Sequence, residues 1–118
     1  MPDTTSKRTS EFTVGLSGAE TLVSTVSDLR RYLIETSEGG GQTVFVFDTH
    51  TNELFSSQLG DSPRRYVLEA GEQSKSLDSA SEIARKLLEA GAGRDTLLVA
   101  VGGGVVCDIV AFVASIYM

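Results

Sequence analysis

One cysteine and one histidine stand in 118 residues. A single cysteine excludes an internal disulfide and fits a reducing compartment. The two together are too small a donor set for any zinc pattern. Basic clusters are missing as well. No run of Lys and Arg exceeds two residues and the formal net charge is −6, which argues against non-specific nucleic-acid binding. A nucleotide cofactor needs only one local positive site, so the acidity does not count against one. The opening MPDTTSKRTS has no apolar core of a secretion signal, so export is not expected. The most apolar segment, residues 105–118, has 14 residues and contains Asp108, short of a membrane span. No internal repeat and no low-complexity linker interrupt the chain. With 41% apolar residues and enough length for a core, the expectation is a folded cytoplasmic domain whose partner is a small molecule, not a nucleic acid or a membrane.

What is present alternates. Residues 1–9 read as a flexible tail and 11–16 as a strand. In residues 18–34, Leu22, Val23, Val26, Leu29, Leu33 and Ile34 recur at helical spacing and predict an amphipathic helix, ended by a loop at 38–41. The apolar run 43–47 is too short for a helix and suits a strand buried on both faces. A short helix over 52–59, a turn at 60–63 and a strand over 65–69 follow. A polar loop at 70–75 leads to Ser76, well placed to cap a helix, with Asp78 in its first turn. Leu77, Ala80, Ile83, Ala84, Leu87 and Leu88 form the apolar face of that helix. Gly91, Ala92 and Gly93 stop it. The last stretch is an apolar strand over 96–101, three glycines, and an apolar helix from Val105. The chain ends inside that helix without a C-cap, which reads as part of a longer protein. Apolar strands alternating with helices predict an α/β fold, a Rossmann-like and mostly parallel sheet with helices on both faces.

Right-handed crossovers would carry the C-terminal ends of such strands to one edge. Three polar groups then collect where open α/β sheets bind ligands: Asp48, Thr49 and His50; Glu72 to Lys75; and Gly102 to Asp108. Gly102-Gly103-Gly104 before a helix allows an anion to approach unpaired N–H groups. It is neither a G-x-G-x-x-G fingerprint nor a Walker loop, and a glycine triplet also serves as a plain turn. Asp108 either favours the positive end of its helix or, with an apolar flank, needs a partner such as a ligand hydroxyl. Glu72 and Lys75 could hold a polyhydroxylated anion between them, although a lysine before a helix is as often simply solvated. His50 reads as an exposed loop residue or a ligand contact. Cys107, with no base or second thiol near it in sequence, reads as a small buried hydrophobe. Phe45, Phe47, Phe55 and Phe112 read as core.

Gly71-Glu72-Gln73-Ser74-Lys75-Ser76-Leu77, then a helix, then Arg94-Asp95-Thr96-Leu97-Leu98-Val99-Ala100-Val101-Gly102-Gly103-Gly104-Val105-Val106-Cys107-Asp108, closing on AFVASIYM, resembles 3-dehydroquinate synthase. The likeness runs from about Phe12 to Met118 and is densest from Glu69. It implies residues 10–118 as an N-terminal NAD-binding domain, preceding a C-terminal helical domain that holds a divalent metal, zinc or cobalt. The implied reaction turns 3-deoxy-arabino-heptulosonate 7-phosphate into 3-dehydroquinate and phosphate, in the shikimate pathway, by a homodimer. Carried over by position, Asp48, Thr49 and His50, then Glu72, Gln73, Ser74 and Lys75, then Gly103, Gly104, Val105 and Asp108 are the implied NAD contacts. His50 stands where asparagine is common, Cys107 where glycine is usual, and Ala111 where glycine is frequent. The family's metal ligands and substrate-gripping lysines fall beyond Met118. This stretch alone is therefore expected to hold no metal, to carry no catalytic residue and to be inactive. Other sugar-phosphate cyclases, such as 2-deoxy-scyllo-inosose and 2-epi-5-epi-valiolone synthases, share the turn. A non-catalytic nucleotide-binding module is the reading from another class.

Overall fold

The computed structural model describes residues 8–16, 18–37, 42–59 and 64–118. The expected loop at 38–41 and turn at 60–63 lie outside them, as do residues 1–7 of the expected tail. The chain divides into two compact units, Met1–Gly39 and Gly40–Met118.

The first unit differs from the reading of its sequence. Strands β1 (Arg8–Leu16) and β2 (Ala19–Val26) pair antiparallel, and helix α1 (Leu29–Ser37) follows. β1 begins at Arg8, inside the stretch expected to be tail. The single amphipathic helix expected over 18–34 is half strand and half helix. Leu16 pairs with Ala19, and Gly18, at φ 82°, closes the short connection. That left-handed conformation suits a tight hairpin. Thr21, Val23, Thr25 and Val26 are β-branched and favour the pleated state over the helical one. Asp28 then starts α1, its Oδ1 accepting from the Arg31 N–H at 3.1 Å. The helical spacing of Leu22 to Ile34 was a coincidence of two elements joined end to end.

The second unit holds β3 (Thr43–Asp48), α2 (Thr49–Phe55), a 3₁₀ turn at Ser56–Leu59, β4 (Arg64–Leu68), a 3₁₀ turn at Glu72–Ser74, α3 (Leu77–Glu89), β5 (Leu97–Val101) and α4 (Gly104–Ile116). The strands form a parallel sheet in the order β4-β3-β5. In the central strand Phe45, Val46 and Phe47 are 0% exposed, so it is covered on both faces. Val44 and Val46 share a core with Leu68, Ala80, Ile83, Leu87, Val106, Ile109, Val110 and Val113, which places α3 and α4 on one face. Phe45 and Phe47 alternate to the other face, their rings stacked with centroids 6.1 Å apart. The crossover through α2 runs from β3 to β4 and the one through α3 runs back past β3 to β5. Right-handed crossovers in opposite directions lie on opposite faces of a sheet. The Rossmann-like reading therefore holds, with helices on both faces.

Two helix faces are less buried than their spacing suggested. Leu77 is 72% exposed, and Leu88, Phe112 and Ile116 are also exposed. They lie at the margins of stripes whose centres, Ile83, Leu87, Ile109 and Val113, fill the core. Ser76 does cap α3, its hydroxyl accepting from the Ser79 N–H at 3.1 Å.

Candidate functional site

Parallel strands bring Asp48, Leu68 and Val101 to the same edge of the sheet, and all three expected polar segments begin there. Three side-chain ties hold them together. Thr49 Oγ1 accepts from the Ala70 N–H at 3.1 Å, linking the start of α2 to the loop after β4. Thr51 Oγ1 donates to the Val101 carbonyl at 2.7 Å, linking it to the end of β5. Lys75 Nζ meets Asp108 Oδ2 at 2.9 Å, linking the loop after β4 to α4.

The expected site residues divide into those that build turns and those that present chemistry. Asp48 is the last residue of β3 and the cap of α2. Its Oδ1 accepts from the Thr51 N–H at 2.7 Å while its own N–H donates to Thr51 Oγ1 at 3.0 Å. The short helix expected from Asn52 thus begins at Thr49, and Thr49 and His50 sit in its first turn. Gln73 donates to the Ala70 carbonyl at 3.0 Å and Ser74, buried, to the Glu69 carbonyl at 2.5 Å. Both fold the loop onto itself around Gly71, whose φ of 122° only glycine adopts readily. Glu72, His50, Gly103 and Gly104 are exposed and Val105 is half-buried.

Asp108 is not enclosed by its apolar neighbours. It lies one turn into α4, 58% exposed, and its partner is Lys75, 49% exposed. The hydrogen bond to Asp108, then the charges of Asp108 and Glu72, raise the Lys75 pKa above 10.5. A lysine with a raised pKa loses its charge only in strongly alkaline solution, so Lys75 is a fixed cation at neutral pH. An ion pair this open to water contributes little to folding, and both partners remain available to a ligand. Cys107 is exposed too, its thiol donating weakly to the Gly102 carbonyl at 3.7 Å. The small-hydrophobe reading fails because position 107 faces away from the stripe of Val106, Ile109, Val110 and Val113.

The glycine turn has two kinds of glycine. A Cβ on Gly102 would come within 2.7 Å of Val106 Cγ2 and 3.4 Å of Asp48 Oδ2, whereas at Gly103 and Gly104 it would meet nothing within 4 Å. Gly102 is required by close packing, and the two after it leave bare backbone facing open space. Gly103 caps α4 and offers no side-chain acceptor. The first N–H groups of a 13-residue helix are thus left to whatever approaches from outside. Beside this turn, a groove of about 400 Å³ between the starts of α3 and α4 has Leu77, Ala80, Ile109 and Phe112 as apolar walls and Lys75 and Asp108 as charged lining. That is within the size range of small-molecule sites, and it explains why Leu77 and Phe112 are exposed. A bare backbone cradle, helix N–H donors and an adjacent cation fit a dinucleotide pyrophosphate. No set of three or more His, Cys, Asp or Glu converges among the described residues, so these residues do not fit a metal.

Residues 65–118 match the family model described as 3-dehydroquinate synthase N-terminal. That stretch is similar to the N-terminal part of that family. A 3-dehydroquinate synthase of Acidithiobacillus ferrooxidans is 61% identical over 51 residues, covering 43% of this chain and 14% of that protein. One from Thermococcus kodakarensis is 50% identical over 80 residues, covering 65% and 24%. A solved 2-deoxy-scyllo-inosose synthase, complexed with carbaglucose-6-phosphate, NAD+ and Co2+, matches at a TM-score of 0.56 and 20% identity, over 73% of this chain and 26% of that one. At that identity the likeness is one of fold. The chain spans about a quarter or less of the length of these 3-dehydroquinate synthases and of this cyclase.

Thr51 is the residue that the sequence reading missed. The spacing of Asp48 to Thr51 is that of a capping box, which would have found its bond to Asp48. Nothing in the sequence pointed to its bond with Val101, fifty positions away.

Proposed function

We propose that the chain forms the NAD-binding part of a 3-dehydroquinate synthase, a cytoplasmic enzyme that converts 3-deoxy-arabino-heptulosonate 7-phosphate to 3-dehydroquinate and phosphate. The observation that carries this reading is the meeting of Lys75 and Asp108 beside an uncapped glycine turn, each delivered by a segment that resembles the family. The N–H groups of Gly104, Val105 and Val106 would receive the pyrophosphate, with Lys75 supplying the nearby positive charge. Asp108 and Glu72 are acceptors for ribose or substrate hydroxyls. Thr49, Gln73 and Ser74 hold the surrounding turns in place, and the groove walled by Leu77 and Phe112 keeps water from one side of the ligand. When bound, NAD would supply a reversible hydride acceptor, and the substrate ketone so formed would acidify the neighbouring C–H and let phosphate leave. The divalent metal, zinc or cobalt, would be held by other parts of the longer enzyme, which we expect to act as a homodimer.

The test is phosphate release from the heptulosonate phosphate by the full-length protein, with and without NAD, together with NAD titration by calorimetry. NAD-dependent release is expected. NAD binding without release from this substrate would sink the substrate assignment in favour of another sugar-phosphate cyclase. Absence of NAD binding would sink the cofactor reading as well.

A further inference from the structure

At the end of the β3–β5 ladder a side chain ties the two strands together. The last paired residues of these strands are Phe47 and Val101. Next in line, the Asp48 N–H and the Val101 carbonyl both bond the Thr51 hydroxyl. Asp48 N–H donates to Thr51 Oγ1 at 3.0 Å, and Thr51 Oγ1 donates to the Val101 carbonyl at 2.7 Å. A hydroxyl has one proton, and the Val101 oxygen is the nearest of its acceptors; Asp48 Oδ1 stands at 3.2 Å and the Asp48 carbonyl at 3.4 Å. One hydroxyl thus bonds the ends of both strands.

The place of this tie gives it a consequence. Open α/β sheets bind ligands in the crevice between adjacent strands whose connections leave in opposite directions. β3 leads away to β4, and β5 lies on its other side, so the crevice here lies between the ends of β3 and β5. A hydroxyl bonded to both of those ends holds them together. Val101 is also the residue directly before the glycine turn. Gly102 is hemmed between Val106 and the Asp48 carboxylate, and the same Asp48 is fixed by Thr51 through its Oδ1 and its N–H. Thr51 therefore grips both sides of the crevice: the cap of α2 on one, the carbonyl that anchors the turn on the other.

We infer that Thr51 is a positioning residue for the dinucleotide turn, its hydroxyl tying the ends of β3 and β5 so that the N–H groups at the start of α4 stand where the pyrophosphate needs them. This rests on the NAD reading above and adds a residue that touches no ligand. In the full-length protein, Thr51→Val keeps the shape and removes the hydroxyl, and Thr51→Ser keeps the hydroxyl. Tyr117→Phe removes a comparable bond, to the Ala92 carbonyl at 2.7 Å, and serves as the control for a lost hydrogen bond away from the turn. NAD titration should show binding weakened about tenfold or more in Thr51→Val, and within about twofold of the unaltered protein in Thr51→Ser and Tyr117→Phe. Hydrogen exchange should show the Asp48 and Cys107 amides losing protection in Thr51→Val alone. Unweakened NAD binding in Thr51→Val, or Thr51→Ser binding as weakly as Thr51→Val, overturns the inference. If the unaltered protein binds no NAD, it is the cofactor reading that fails. The tie is then judged by exchange alone, and unchanged protection of Asp48 and Cys107 in Thr51→Val overturns it.

Discussion

Helices α3 and α4 lie side by side on one face of the sheet and both begin above its C-terminal edge, but they begin differently. α3 opens on Ser76, whose hydroxyl accepts from the Ser79 N–H, with Asp78 in its first turn. α4 opens on Gly103, with no side-chain acceptor and no acidic residue in its first turn. Hydrogen-bond donors at a helix start are satisfied by a cap, by water or by a ligand. One helix takes the stabilising solution and the other leaves its donors open. Its charged neighbours, Lys75 and Asp108, are likewise joined by a bond that water can reach. On the function proposed above, the chain caps one helix and leaves bare the donors that would receive the pyrophosphate.

This contrast can be broken by changing each start in turn. The largest effect is expected from Gly102→Ala, because even a methyl group meets Val106 at 2.7 Å. It should cost about 1–3 kcal/mol in chemical denaturation and reduce NAD affinity roughly a hundredfold, since the turn must shift to make room. Undiminished binding would show that the turn is not the cradle. Lys75→Gln should weaken NAD roughly tenfold through the lost charge-assisted bond. In the unaltered protein, Lys75 should impose no pH dependence on binding at neutral pH. Its raised pKa keeps it charged there, and affinity should fall only as pH rises beyond 10.5. A loss of affinity below pH 8, traced to Lys75, would contradict the ion pair.

Gly103→Ser gives α4 the cap it lacks, at a position where a Cβ meets nothing. Stability should rise by a few tenths of a kcal/mol while NAD affinity drops about tenfold, because the new hydroxyl competes for the same donors. A gain in both would refute the idea that the bare start is kept for a ligand. Ser76→Ala should lower stability by about 1 kcal/mol, visible as an earlier denaturation midpoint. No loss would mean that water serves α3 as well as its cap does.

Legibility differed between the two units for a physical reason. In Gly40–Met118 the periodicities were unambiguous, because strands buried on both faces read as short apolar runs and helices as stripes. Near Asp48 the reading slipped by three residues, since the Asp48 carboxylate caps α2 while still in the strand. In Met1–Gly39 a helical spacing of apolar residues ran across a strand and a helix. Only the cross-strand pairing of residues such as Phe12 with Val23 decides such a case. The exposed faces of Asp108 and Cys107 were misread for a related cause. An apolar helix reads as buried all round, while α4 buries one stripe and leaves Asp108 and Phe112 to the groove.

By itself the sequence determined the alternation of elements, the capping serine, the glycine turn and the segments that resemble the family, because each is written in neighbouring residues. Only the tertiary structure decided that Lys75 faces Asp108, that Gly102 is crowded while Gly103 and Gly104 are bare, and that Thr51 bridges Asp48 to Val101. These depend on which strands lie adjacent, and adjacency across thirty to fifty residues is set by the packing of the whole sheet rather than by any local pattern.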